Sequence, residues 1–157
     1  MQTIKPFLWF NTQAEEAAEF YVSVFPNSRV VRVNRCGEAG PGPVGSVLLV
    51  EFELDGQRFF GLNGGPTFQF TEAVSFTVEC DTQEEVDRYW ERLSAGGREV
   101  ECGWLKDKFG LSWQITPRVL GQLMGGSDAA GRNRAMQAMM GMRKLDIAAL
   151  QKAYDGR

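Results

Sequence analysis

Histidine is absent from all 157 residues, and this one gap removes more chemistry than any other feature of the composition. Imidazole is the commonest metal ligand and the side chain that most readily moves protons near neutral pH. Its absence excludes Ser-His-Asp and Cys-His nucleophile pairs and histidine-held zinc or iron. Cysteine is scarce: Cys36, Cys80 and Cys102 stand too far apart for any C-x-x-C pair, and their odd number fits a reducing compartment. No segment approaches the roughly 18 apolar residues of a membrane span, and the opening MQTIKPFLWF lacks a basic stretch leading into a long apolar run. The sequence therefore reads as cytoplasmic, with no membrane partner. A net charge of −3 gives no basic surplus, which argues against a nucleic-acid partner.

What remains is an ordinary globular composition, 43% apolar and 24% charged, long enough for one core. The chain resembles itself. Asn11-Thr12-Gln13 returns as Asp81-Thr82-Gln83, and with one residue deleted Glu15-Glu16 and Phe20-Tyr21 return as Glu84-Glu85 and Tyr89-Trp90. Thr12 with Glu15 and Thr82 with Glu85 both match the capping box, which predicts helices beginning near residues 12 and 82. Ala14, Ala17, Ala18, Tyr21, Val24 and Phe25 form the apolar stripe of the first helix, and Val86, Tyr89, Trp90 and Leu93 that of the second. Strand patterns precede each helix at residues 4–10 and 74–80 and follow at 28–36, 46–54 and 57–63, then at about 98–102, 103–108 and 111–117. Asp55-Gly56 suits a two-residue hairpin turn. The fold class is α+β, with two paired βαβββ modules forming a curved mixed sheet around a cleft and a C-terminal helical tail. We read one domain over 1–157: module one about 1–66, module two about 67–117 and tail about 118–157. In the tail Met136, Met139, Met140 and Met142 suggest a soft face packed on the protein's own core or on a partner subunit.

Gly40, Gly42 and Gly45 spell G-x-G-x-x-G, but Pro41 and Pro43 interrupt it and a strand pattern follows, so it reads as a loop between strands. S-adenosylmethionine binding by a Rossmann domain has no support, because alternating βα units are missing. The strand at 111–117 alternates Leu111, Trp113 and Ile115 with Ser112, Gln114 and Thr116, and the strand at 74–80 alternates in the same way with Ser75, Thr77 and Glu79 on its polar side. Turned toward a concavity, these polar faces would line a small-molecule pocket. The duplication adds Lys5, Phe7 and Trp9 to that surface. For each cysteine a buried thiol is the favoured reading; Cys102 is set apart by the nearby Lys106.

The segments TQAEEAAEFYVSVFPNS (12–28), LNGGPTFQF (62–70), DTQEEVDRYWERL (81–93) and CGWLKDKFGLSWQITP (102–117) resemble the PhnB-like branch of the vicinal oxygen chelate superfamily. That superfamily includes glyoxalase I, extradiol dioxygenases, and fosfomycin and bleomycin resistance proteins. Many members of the branch carry the label 3-demethylubiquinone-9 3-methyltransferase. AMQAMMGMRKLDIAAL (135–150) is similar to the ending of this subgroup. In metal-dependent relatives ligands come from the first, fourth, fifth and eighth strands. The resemblance places those positions on Lys5 or Pro6, within 60–63 (Phe60 to Asn63), on Ser75 and on Gln114. None offers a carboxylate or imidazole, so the expectation is no metal and no other cofactor.

Three functions remain in competition. The first is a metal-free protein that binds a small aromatic or hydrophobic molecule through Lys5, Phe7, Trp9, Phe60, Asn63, Ser75, Thr77, Trp104 and Gln114. The second is a metal-independent enzyme of the glyoxalase superfamily, the methyltransferase label included. The residues identify no catalytic side chain for it; Lys5, Glu79, Asp107 and Tyr21 are candidates for acid or base. The third is a dimeric interaction module whose cleft is filled by side chains. The resemblance implies a homodimer, in some relatives with modules exchanged between chains.

Overall fold

The computed structural model of the protein describes residues 2–157. Two compact units result, the first ending at Phe70 and the second spanning Thr71–Arg157.

The first unit contains β1 (Phe7–Phe10), α1 (Ala14–Val24), β2 (Arg29–Arg35), β3 (Val47–Leu54) and β4 (Gln57–Asn63). Its sheet runs β1-β4-β3-β2, with β1 parallel to β4 and the other pairs antiparallel. Strand alternation sends Leu8, Phe10, Val50, Phe52, Leu54 and Phe59 to one face, where α1 covers them with Ala14, Ala17, Ala18, Tyr21 and Val24. Small alanines let the helix approach closely. Tyr21 stacks on Phe52 at 6.2 Å between centroids, and Phe52 on Phe59 at 5.4 Å, each pair adding about 0.5–1.5 kcal/mol beyond its buried area. Asp55 and Gly56 both adopt positive φ, 45° and 79°, the geometry of the two-residue turn expected there.

The second unit repeats the string as β5 (Ser75–Cys80), α2 (Gln83–Ser94), β6 (Arg98–Glu99), β7 (Trp104–Lys106) and β8 (Ser112–Pro117). Its order is β5-β8-β7-β6, again with one parallel pair, β5 with β8. The duplication in the sequence is thus a duplication of topology. Val86, Tyr89, Trp90 and Leu93 of α2 are buried, as are Leu105, Trp113 and Ile115 of the sheet. Strands β6 and β7 are shorter than the expected 98–102 and 103–108. Cys102 and Gly103 take positive φ, 58° and 81°, and the Trp104 N–H donates to Glu101 O, so a tight turn occupies the middle of that span.

The two helix starts differ. Thr82 caps α2 as expected: its side chain accepts from the Glu85 N–H at 3.2 Å while Glu85 accepts from the Asp81 N–H. Thr12 does not cap α1, whose N-cap is Gln13 with no side-chain bond. Asn63, at the end of β4, supplies the acceptor instead, taking the Ala14 N–H at 2.8 Å and donating to Val47 O at 3.0 Å. A distant side chain has replaced the local cap.

The tail forms α3 (Arg118–Gly125), α4 (Ala129–Met140) and α5 (Ile147–Asp155). Leu123, Leu145 and Leu150 are its core, joined by Val119, Leu120, Met139, Met142 and Tyr154. It is tied to the second βαβββ repeat by backbone bonds from Cys102 N to Met142 O and Gly103 N to Arg143 O. Gln83 of α2 adds two more, donating to Leu145 O and accepting from the Ile147 N–H. Met139 and Met142 pack inward, whereas Met136 and Met140 are exposed. No helix among the described residues is long and apolar enough to cross a membrane.

Candidate functional site

Each sheet has one face under its helix and one face that the helix leaves open, and the candidate residues lie on or beside the open faces, except Asn63, whose amide is on the side of α1. In the first unit, register places Phe7 opposite Phe60 and Trp9 opposite Leu62, with Glu51 and Leu49 next along the same rows. Phe7 is 56% exposed. Its ring lies 5.7 Å from that of Phe60, and the Lys5 ammonium sits 5.7 Å from the same Phe60 centroid. The indole of Trp9 lies over Gly64, where an added Cβ would come within 2.3 Å of the ring. Its Nε1 donates to Gly65 O at 2.9 Å, and Phe68 meets it edge-on at 4.9 Å. Farther along, Arg58 bonds Glu51 and Glu53 at 2.5 and 3.2 Å, and the Glu51 bond above all raises its pKa further.

At the end of this sheet opens a cavity of about 680 Å³, within the range of ligand pockets. Trp9, Leu62 and Asn63 form one side, and Cys36, Pro41 and Pro43 of the β2–β3 loop the other. This is the loop of Gly40, Gly42 and Gly45. It closes on itself through Cys36 N to Ser46 O and Gly45 N to Cys36 O, and it leads into β3 rather than a helix. The loop is thus no phosphate cradle but a cavity wall, which the alternation of glycine and proline did not reveal. Asn63 lines the cavity with its amide already committed to Ala14 and Val47.

In the second unit Gln114 is the hub. Its Nε2 donates to Ser75 Oγ at 2.9 Å, and register sets it beside Thr77 on one flank and Trp104 on the other. Ser75 and Gln114, which the resemblance places at metal-ligand positions, satisfy each other as a neutral pair. A hydroxyl and an amide make a poor donor set for a transition metal. Among the described residues no three His, Cys, Asp or Glu side chains gather as a metal site.

The acid–base candidates fare unevenly. Asp107 is 3% exposed, with Oδ1 accepting from the Phe109 and Leu111 N–H groups and Oδ2 from Trp113 Nε1, which makes it the anchor of the β7–β8 turn. Tyr21 is fully buried between α1 and its sheet, out of reach of any ligand on the open face. Glu79 pairs with Arg118 at the surface. Lys5 lies beside the open face of the first sheet, and Glu79 on that of the second with its carboxylate already taken by Arg118. Lys106, close to Cys102 in sequence, is held by Glu72 instead. Cys80 is buried, and desolvation, with a smaller contribution from Glu85, pushes its thiol pKa up to about 11.

The family model described as 3-demethylubiquinone-9 3-methyltransferase matches residues 2–116, all of both βαβββ repeats but for the last residue of β8, and none of the tail. No curated protein sequence matches the chain. Among solved structures, the Bacillus cereus PhnB protein, which carries the same methyltransferase label, is 39% identical, with a TM-score of 0.68, over 74% of this chain and 99% of its own. Protein PA1353 of Pseudomonas aeruginosa, at 18% identity, covers 74% of this chain and 98% of its own with a TM-score of 0.62. The genomically encoded fosfomycin resistance protein FosX of Listeria monocytogenes, at 17%, covers 77% and 94% with a TM-score of 0.56. With two βαβββ repeats of one topology and a family match that spans them, the chain belongs to the PhnB-like family of the vicinal oxygen chelate superfamily, the family labelled 3-demethylubiquinone-9 3-methyltransferase.

Proposed function

We propose that this protein is a metal-free small-molecule binder, a homodimer whose ligand, an aromatic or hydrophobic compound, rests on the open sheet faces. The observation that carries the reading is the pairing of chemistries on those faces: partly exposed rings of Phe7, Trp9 and Phe60 beside a cavity on one sheet, and the neutral Ser75–Gln114 pair on the other. Rings offer area at small entropic cost, and a few hydrogen-bonding groups orient what they hold. Lys5, Thr77, Trp104 and Asn63 complete the proposed lining, with Asn63 acting through its hold on α1. The methyltransferase of the family's label gains no support from the fold, because no strand of either unit passes through a glycine-rich turn into a helix.

Thermal shift of protein stripped with a chelator tests the reading. A true ligand at about one hundred times its Kd adds about 2.7 kcal/mol of stability. The shift should persist without metal. A panel of aromatic compounds that produces none, or elemental analysis of untagged protein showing about one tightly held transition metal per chain, overturns it.

A further inference from the structure

Resting on that reading, we infer that the open face of the second sheet takes an anionic group, so that the ligand is an aromatic or hydrophobic acid. Register aligns Arg98 with Lys106, Lys106 with Ser112, and Ser112 with Ser75, one residue from each strand in a single row across the sheet. Strands lie about 4.8 Å apart, so the row extends over about 15 Å. Every member is a hydrogen-bond donor, and two are cations. Ser75 Oγ already accepts from Gln114, which leaves its own hydrogen to donate. Ser112 is 1% exposed, and its Oγ has no hydrogen-bond partner among the described residues. A buried hydroxyl left without a partner is destabilising. An acceptor on the ligand would relieve it.

One carboxylate already sits on this row. Glu72, three residues before β5, bonds Lys106 Nζ. That bond above all, with a smaller contribution from Arg98, holds its carboxyl below the ordinary value. Its side chain is 59% exposed against 24% for Lys106, so the carboxylate is the outer, displaceable partner of the pair. Glu72 holds the place that a ligand carboxylate, phosphonate or phosphate would take. The neighbouring row of Trp104, Gln114 and Thr77 then meets the body of the molecule. The matching row of the first sheet, in which the repeat sets Lys5 against Ser75, runs on through Arg58, Glu53 and Arg29; it places a carboxylate where the second sheet has Lys106, and its Arg58 is already held by Glu51 and Glu53, so recognition of an acid belongs to the second.

Titration calorimetry of the full chain with benzoate, 1-naphthoate and phenylphosphonate, each against its neutral amide or ester, tests this. The acids should bind about tenfold or more tightly than the neutral forms. Benzoate against phenylphosphonate identifies the anion preferred. Glu72→Gln removes the internal competitor and should tighten the acids about threefold or more while leaving the neutral probes unchanged. Lys106→Met should weaken the acids about tenfold or more, and unaltered binding of the neutral probes certifies its fold. Equal affinity for acids and neutral forms, with Glu72→Gln silent, overturns the inference but leaves the proposed binding function standing. Failure of every probe, charged and neutral, overturns both.

Discussion

Replacing Asp107 with alanine should destabilise the second unit by about 3–5 kcal/mol. The carboxylate accepts three hydrogen bonds, at 2.9 Å from Phe109 N, 3.0 Å from Leu111 N and 2.9 Å from Trp113 Nε1. A hydrogen bond to a charged acceptor contributes about 1.5–3 kcal/mol, and a buried donor left unpaired costs about 1–3. Leu111 and Trp113 are both buried, so two donors are orphaned where water enters poorly, while the Phe109 N–H is better placed to recover a water. Two orphans at the middle of that range give about 4 kcal/mol, a large part of the 5–15 kcal/mol by which a domain is stable. Asp107→Asn retains one acceptor oxygen but turns an NH₂ toward a donor, so it should lie between wild type and alanine. Urea unfolding followed by tryptophan fluorescence and far-UV circular dichroism reads the difference as a change of midpoint at constant slope. If Asp107→Ala stays within about 1 kcal/mol of wild type, the turn-anchor account fails and the acid–base role weighed for this residue regains its standing.

Other residues give independent checks. Asn63→Leu removes the acceptor for Ala14 N and the donor to Val47 O and should lose about 1–3 kcal/mol. Amide exchange in the first turn of α1 should accelerate with it, whereas Thr12→Ala should change neither. Gln83→Ala removes both side-chain bonds to the tail, so hydrogen exchange at Ile147 should rise well before global unfolding; unaltered protection would mean that the tail is held by its apolar core alone. Cys80 should resist alkylation in the native state at pH 8, because the thiolate is the reactive form and its pKa is about 11. Between the ordinary thiol value of 9.0 and about 11 the unfolded chain releases the thiol proton while the folded chain keeps it. Stability is therefore retained below pH 9 and declines as pH rises toward 11, a decline that Cys80→Ser should blunt in urea titrations at pH 8 and 10.

Local patterns carried most of the architecture. Alternation and the Asp55-Gly56 turn gave β3 and β4 within a residue, and the internal repeat gave the second unit once the first was assigned. Thr12 shows where such reading stops: it shares with Thr82 the following glutamine and the glutamate three residues on, but Asn63, far along the chain, reaches Ala14 first. Long-range competition of this kind leaves no trace in local spacing. The candidate site divides likewise. Alternation put Ser75, Thr77 and Gln114 on one face, and the structure joins Ser75 to Gln114. Lys106, singled out only for its nearness to Cys102, and Arg98 were not placed on that face because β7 and β6 are three and two residues long, too short for a period to register. Asp107 was visible as a turn residue, but the number of donors it gathers depends on Trp113 folding back over it.

The two sheets also end unequally. On the outer side of β2 stand exposed Arg29, Arg32 and Arg35, and β6 is a two-residue strand of Arg98 and Glu99. Crowded charge and extreme shortness are the devices that keep an edge from pairing with another chain. At the opposite ends, β1 presents Phe7 and β5 follows the exposed Val74, with no comparable guard on either strand. Each sheet is in effect a polymer with one blocked terminus and one live one. Strand pairing between copies is therefore expected at these two strands, and a lysine introduced on β1 should guard that edge as the arginines guard β2.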